Sequence, residues 1–193
     1  MISVVIATDE SEQLLVPTLA ALVPGAMAGV VGDVIIADAG SRDGTAAVAD
    51  VAGCRFEVIH GPLAARLQQA AAMARAPWLM FLRPGSVPDV TWVDETSRFV
   101  RDVELGVRAK AKTAVFRRAS AASGQPMILE AFALLAAAMG ARPRSDQGLL
   151  ISKELYDTLG GHRRDSKDPE TELLRRIGRR RIALLRSSVA LAR

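Results

Sequence analysis

The chain has 193 residues, 50% hydrophobic and 24% charged, enough to bury a sizeable core within one domain. Its single cysteine, Cys54, excludes an intramolecular disulfide, and with only two histidines it cannot build a zinc framework. The net charge of +4 is modest, yet Arg175 to Arg193 holds seven arginines and no acid. This segment reads as a solvated helix face followed by a loop; the alternative is an electrostatic footprint for anionic lipid or a phosphate-bearing substrate. It lacks the interleaved aromatics of a nucleic-acid surface, so no nucleic-acid partner is expected. The opening MISVVIATDE has no basic n-region and reads as a strand rather than a signal peptide. No apolar run is long enough to span a bilayer. The expected location is a reducing cytoplasm, with at most weak peripheral contact at the inner face of a membrane through the basic C-terminal segment.

In chain order, Ile2–Ala7 is a continuous apolar run, as in a strand buried on both faces. Gln13–Val23 predicts a helix with Leu14, Leu15, Leu19, Leu22 and Val23 on one stripe, and Pro17 is tolerable only near its first turn. Val34–Asp38 is a second strand, Gly44–Val51 a short helix, and Phe56–Ile59 a third strand. Ala64–Arg75 is an alanine-rich helix and Trp78–Leu82 a fourth strand. This alternation is the pattern of βαβ units around a parallel sheet. The second half is less regular. Helices are predicted over Val90–Val103, Ile128–Met139 and Pro169–Ile177, and strands over Thr113–Arg117 and Leu149–Ser152. Gly160 and Gly161 after LYDTL read as a helix stop.

In an open α/β sheet a ligand lies at the carboxyl ends of the strands. Those ends carry Thr8-Asp9-Glu10, then Asp38 to Thr45, then Arg83-Pro84-Gly85-Ser86. An Asp closing a buried strand can accept hydrogen bonds from a base or ribose, or serve only its own turn. Gly40 and Ser41 make a tight turn, and Ser41 or Asp43 can cap the next helix. His60, at the end of the third strand, is a weaker candidate.

Taken in order, ISVVIAT, VIIADAGSRDGT, the alanine-rich helix ending in WLMFL, DQGLLISKELYDTLGG and ETELLRRIGR resemble successive motifs of the family-2 glycosyltransferases. The resemblance spans nearly the whole chain. It implies an α/β, Rossmann-like GT-A fold, with a central, mostly parallel sheet flanked by helices. One domain over 1–193 is expected, 1–100 being the nucleotide-binding half and 101–193 the acceptor-side half. The implied reaction transfers a sugar from a nucleotide-diphosphate sugar donor to an unknown acceptor, usually with inversion. On this reading Thr8 and Asp38 contact the base and ribose, with Glu10 and Ser41 nearby. Arg66 and Gln68 face the nucleotide, and Asp146 and Gln147 lie near the acceptor or the donor sugar. The alternatives are a solvated helix face for Arg66 and Gln68 and a polar turn for Asp146-Gln147. His162 stands where the family often has an aromatic, and is expected to pack or sit in a loop rather than catalyse.

The departures from the family pattern matter as much. Members usually carry an Asp-x-Asp or similar acidic element after the fourth strand, which holds a divalent cation, Mg or Mn, against the diphosphate. Here FLRPGS takes its place, with Gly85 where the key Asp is expected. Arg-Pro-Gly offers a hard cation no side-chain carboxylate, so no metal ligand is assigned. Arg83 becomes a candidate to neutralise the diphosphate directly, the alternative being an arginine turned to solvent. The base is altered too. Inverting transfer needs a carboxylate within hydrogen-bond reach of the acceptor hydroxyl. The family's Glu-Asp pair falls on Pro169 and Glu170, leaving Glu170, or Asp168 just upstream, to serve. Both could equally be favourable charges at a helix N-terminus. Three readings follow: a glycosyltransferase working without the usual metal; a catalytically degenerate nucleotide-sugar-binding relative with a regulatory or scaffolding role; and a different nucleotidyl or phosphosugar enzyme on a similar fold.

Overall fold

β1 (Ile2–Thr8) is buried along almost its whole length, as its nearly continuous apolar run requires. It lies parallel to β2 (Val31–Asp38) on one side and to β4 (Trp78–Leu82) on the other, and β3 (Arg55–Val58) extends the sheet beyond β2. The helices α1 (Glu12–Met27), α2 (Thr45–Val51) and α3 (Leu63–Met73) make the crossovers. The chain continues through β5 (Ser86–Pro88), α4 (Trp92–Glu104), β6 (Thr113–Arg118), a 3-10 turn at Ser145–Gln147 and β7 (Leu149–Ser152). Then come α5 (Lys153–Thr158), α6 (Pro169–Ile177), a second 3-10 turn at Arg179–Arg181, and β8 (Ile182–Leu191). This computed structural model describes residues 1–108, 111–119 and 143–192. The predicted helix over Ile128–Met139 lies outside them.

The described strands form one sheet in the order β3-β2-β1-β4-β7-β6-β8-β5. β7 runs antiparallel to β4 and β6, and β5 runs antiparallel to β8; the other pairings are parallel. This is the α/β, mostly parallel architecture that the motif order implies. Side chains alternate between the two faces, as a strand's two-residue period dictates. Val4, Ile6, Met80 and Leu82 pack under α1 and α4, whereas Val5, Leu79 and Phe81 pack under α3, α5 and α6. Each fully buried Leu or Val on these strands contributes about 1.5–3 kcal/mol.

Several expectations need correction. The helix expected over Gln13–Val23 runs from Glu12 to Met27 and takes both Pro17 and Pro24 inside it. The Arg175–Arg193 segment is not a helix face followed by a loop. α6 ends at Ile177, and the chain then enters the sheet as the ten-residue strand β8. Within IALLRSSVAL the buried positions are Leu185, Ser187 and Val189, a two-residue period that the interspersed arginine and serines conceal. β5, also unexpected, exists because β8 offers it a partner. The helix stop after α5 is present, with Gly160 and Gly161 both at positive φ.

Register defines the two ends of the sheet. β1, β2 and β4 finish together, and β7 starts beside the end of β4, with Leu149 opposite Phe81. β8 runs parallel to β6 and begins opposite Thr113, at the other end. The exposed arginines Arg179, Arg180 and Arg181 therefore sit at the sheet end remote from the carboxyl ends of β1 and β4. Among the described residues no helix is long and apolar enough to cross a membrane.

Candidate functional site

At the carboxyl ends of β1 and β4 a cleft of about 300 Å³ opens between α1, α3 and α6, lined by Thr8, Asp9, Arg66, Leu82, Arg83 and Glu170 among others. A larger groove, about 510 Å³, lies between α1, α2 and β2, but its walls are aliphatic apart from Cys54 and carry no charged side chain. Polar chemistry belongs to the smaller cleft, because of these two it is the one where charged groups converge at strand ends.

The floor beside the cleft is a network centred on Asp38, which is fully buried at the end of β2. Its Oδ1 accepts from the Thr8 hydroxyl at 2.7 Å and the Ser41 hydroxyl at 2.6 Å. Its Oδ2 accepts from the backbone N–H groups of Gly40 at 2.7 Å and Ser41 at 2.6 Å. Burial by itself would raise the carboxyl's pKa, but the bonds from Ser41, Thr8 and Gly40 outweigh it and hold it below the usual carboxylate range. All four acceptor interactions are therefore internal. Asp38 and Ser41 shape the turn, and Thr8 is tied to them.

Sequence reasoning missed how firmly the loops after β1 and β2 are joined. The Glu10 N–H donates to Ser41 Oγ at 2.8 Å, and the Arg42 N–H returns a bond to Glu10 Oε1 at 2.9 Å. The Glu12 N–H donates to Asp43 Oδ2 at 3.0 Å, and the Gly44 N–H to Glu12 Oε2 at 2.9 Å. Glu10 adopts φ 46°, a left-handed conformation costing an L-residue about 1–2 kcal/mol, which these reciprocal bonds offset.

The two arginines of the cleft differ in kind. Arg66 is 8% exposed, not a solvated helix residue. Its Nη1 donates to the Thr8 carbonyl at 2.5 Å and to the Ala37 carbonyl at 3.3 Å. No described carboxylate pairs with it, and its buried Nε finds no hydrogen-bond partner among the described residues. A guanidinium held in this state beside a cleft is chemically suited to an anion. Gln68, two residues on, faces elsewhere, with its amide near the Gly160 carbonyl and its oxygen accepting from Arg164.

Arg83 is paired rather than turned to solvent. Its Nε donates to Glu170 Oε2 at 2.8 Å, and its Nη2 bonds the same oxygen. Burial pushes the Glu170 carboxyl up, and the adjacent Arg83 charge offsets only part of that. Asp168 plays another part. It is the N-cap of α6, accepting from the Thr171 N–H at 3.1 Å, and the Thr171 bonds hold its carboxyl low. The pairing joins the residue expected to meet a diphosphate with the residue expected to act as base, across 87 positions of sequence.

Asp146 and Gln147 stand beside this pair in the turn before β7. Gln147 is buried, its amide donating to the Phe116 carbonyl at 2.8 Å and its oxygen accepting from the Arg144 N–H at 2.7 Å. Asp146 pairs with Arg118 at 3.2 Å, leaving its buried Oδ1 without a described partner. His162 packs, as expected: it is 1% exposed, stacked edge-on against Phe81 and bonded through Nδ1 to the Tyr156 hydroxyl at 2.9 Å. The His60 ring lies against Gly40.

The residues after β4 do not fit a divalent cation. Gly85 has φ 87° and is pinned by bonds to the Leu14 carbonyl and the Thr18 hydroxyl, and the charged side chain of that loop is a guanidinium. Asp89, the other acid within reach in sequence, is taken by Thr91 and Ser188. Among the described residues no group of three or more His, Cys, Asp or Glu side chains comes together as a metal site.

No protein-family model matches the sequence. No curated protein matches it either. Solved structures do match in fold. Glucosyl-3-phosphoglycerate synthase from Mycobacterium tuberculosis, in complex with phosphoglyceric acid, superposes with a TM-score of 0.70 at 20% identity, covering 100% of this chain and 72% of that one. The same synthase in complex with Mn2+, UDP and phosphoglyceric acid gives 0.70 at 19% identity, covering 100% and 71%. S. aureus TarS gives 0.71 at 13% identity, covering 99% of this chain and 60% of the TarS chain. These neighbours are GT-A glycosyltransferases, and the fold is the one they share.

Proposed function

We propose that this chain binds a nucleotide-diphosphate sugar in the cleft at the ends of β1 and β4 and transfers the sugar to an acceptor with inversion, without a metal ion. The observation that carries the reading is the convergence of Arg66, Arg83 and the Glu170 carboxylate that pairs with Arg83 on a cleft built at strand ends. Two guanidiniums supply the countercharge to a diphosphate that relatives of this fold meet with a divalent ion. Thr8 and the Asp38–Ser41 turn present the nucleoside side of the cleft. In the transfer, the acceptor oxygen bonds to the anomeric carbon as the bond from that carbon to the phosphate oxygen breaks. The diphosphate leaves with the electron pair, and the acceptor's proton passes to Glu170. Asp146 and Gln147 border the acceptor side. An anionic membrane meeting Arg179–Arg181 would touch the sheet end away from the cleft.

The second reading is a nucleotide-sugar binder with little or no transfer, acting as a regulatory or scaffolding partner. It is favoured by the engagement of Glu170 with Arg83. A thermal-shift panel of UDP, GDP, dTDP and CDP, each in EDTA and in millimolar manganese, tests the shared core of both readings. One nucleotide should stabilise the protein by a similar amount in both conditions. Stabilisation seen only with manganese would refute metal independence, and none with any nucleotide would refute both readings. Sugar release or transfer from the matching donor then separates them.

A further inference from the structure

Resting on the donor reading above, we infer that the Glu170 carboxylate occupies the diphosphate subsite of the free protein, so that the donor must displace it from Arg83 and only donor-loaded protein carries a free base. The pair is asymmetric. The Arg83 side chain is 43% exposed and that of Glu170 only 12%, so a ligand entering from solvent meets the guanidinium first, with the carboxylate behind it. One edge of the guanidinium, Nε and Nη2, is spent on a single carboxylate oxygen. That same fork would grip a phosphate, and a diphosphate brings more negative charge to it than one carboxylate does.

The surroundings let the side chains exchange partners without moving the backbone. The loop bearing Arg83 is held by the bonds from the Gly85 N–H to the Leu14 carbonyl at 2.8 Å and to the Thr18 hydroxyl at 2.9 Å, and the Gly85 carbonyl accepts from the Ala192 N–H at 2.8 Å. Glu170, once released, remains in the first turn of α6, where the helix N-terminus favours a negative charge. Asp168 cannot take its place as the mobile carboxylate without giving up the cap of that helix. The competition therefore singles out Glu170 as the base. It also orders the reaction: before the donor arrives, the group that would take the acceptor's proton is neutralised.

The test is calorimetric titration of inorganic pyrophosphate and of UDP, both in EDTA, into wild type, Glu170→Gln, Arg83→Gln and the double variant. Glu170→Gln, nearly isosteric, should tighten both ligands about threefold to tenfold, by removing the internal competitor. Arg83→Gln should weaken both, and the double variant should match Arg83→Gln, because without the guanidinium the carboxylate has nothing to compete for. Glu170→Ala provides a second variant with the same expectation. Unchanged or weaker binding by both Glu170 variants, with UDP still bound by wild type, would overturn this inference and leave the donor reading intact. Pyrophosphate following the pattern while UDP binds none of the proteins would overturn the nucleotide reading and keep the anion subsite. Failure of both ligands to bind any variant would overturn both.

Discussion

Replacing Asp38 by Asn keeps the shape of the side chain and removes its charge, at a residue with no exposed surface. In wild type the carboxylate accepts from two hydroxyls and two backbone N–H groups. The Asn oxygen can face Gly40 and Ser41 N–H while its NH₂ donates to the hydroxyls of Thr8 and Ser41, which can rotate to accept. What is lost is the charge assistance, roughly 0.5 kcal/mol or more for each bond, so a loss of about 2 kcal/mol is expected. Asp38→Ala removes the acceptors altogether and should cost about 4 kcal/mol. Urea unfolding at pH 7 measures both. Because the folded carboxyl titrates below its ordinary value, its stabilisation is fully present above about pH 3.9 and is lost as the pH falls through the folded value. The gap between wild type and Asp38→Asn should therefore stay constant from pH 7 to about 5 and close only below about 4. An Asn variant within about 0.5 kcal/mol of wild type at pH 7 would refute the reasoning, since surface substitutions away from such networks usually fall in that range.

Arg66→Met should weaken UDP binding about tenfold or more while changing stability by less than about 1 kcal/mol, because it removes a buried cation that no described carboxylate pairs with and Thr8 O keeps its bond from the Ala39 N–H; parallel titration and urea unfolding check this. Gly85→Asp should cost about 1–2 kcal/mol in urea unfolding, because the position has φ 87°. Burial, reinforced by nearby Arg176, pushes the His162 pKa down to about 3. The unfolded chain binds that proton below about pH 6.5 and the folded protein does not, so stability falls on acidification through this window by up to about 1.4 kcal/mol per pH unit. A wild-type pH profile as flat as that of His162→Phe between pH 6 and 4 would count against the burial.

Much of the first half was legible because its signals are local. ISVVIAT is apolar but for Ser3 and Thr8 and WLMFL is apolar throughout, the near-continuous run of a strand covered on both faces, so β1 and β4 and hence the strand ends at Thr8 and Arg83 followed directly. β8 was not legible in the same way. Its buried positions include Ser187 and its exposed ones include Leu184, so hydropathy alone does not trace the alternation; pairing with β6 and β5 creates it. Arg66 and Gln68 illustrate the same limit on a helix. Two residues apart they point to different sides, and nothing in their identities says which one the sheet will cover.

The amino-acid sequence by itself determined that the first half alternates strands and helices, that β2 closes on Asp38 and β4 on Leu82, and that Asp168 and Glu170 open a helix. These depend on residue type and on periodicities of two and 3.6, which are near-neighbour properties. Only the tertiary structure decided that Thr8 ties its hydroxyl to Asp38, that Arg66 is buried with no described counter-ion, and that Arg83 and Glu170 meet. Those outcomes join residues as far as 58 and 87 positions apart, and such contacts are fixed by sheet order and helix docking, which bring together groups whose local sequences hold no record of each other.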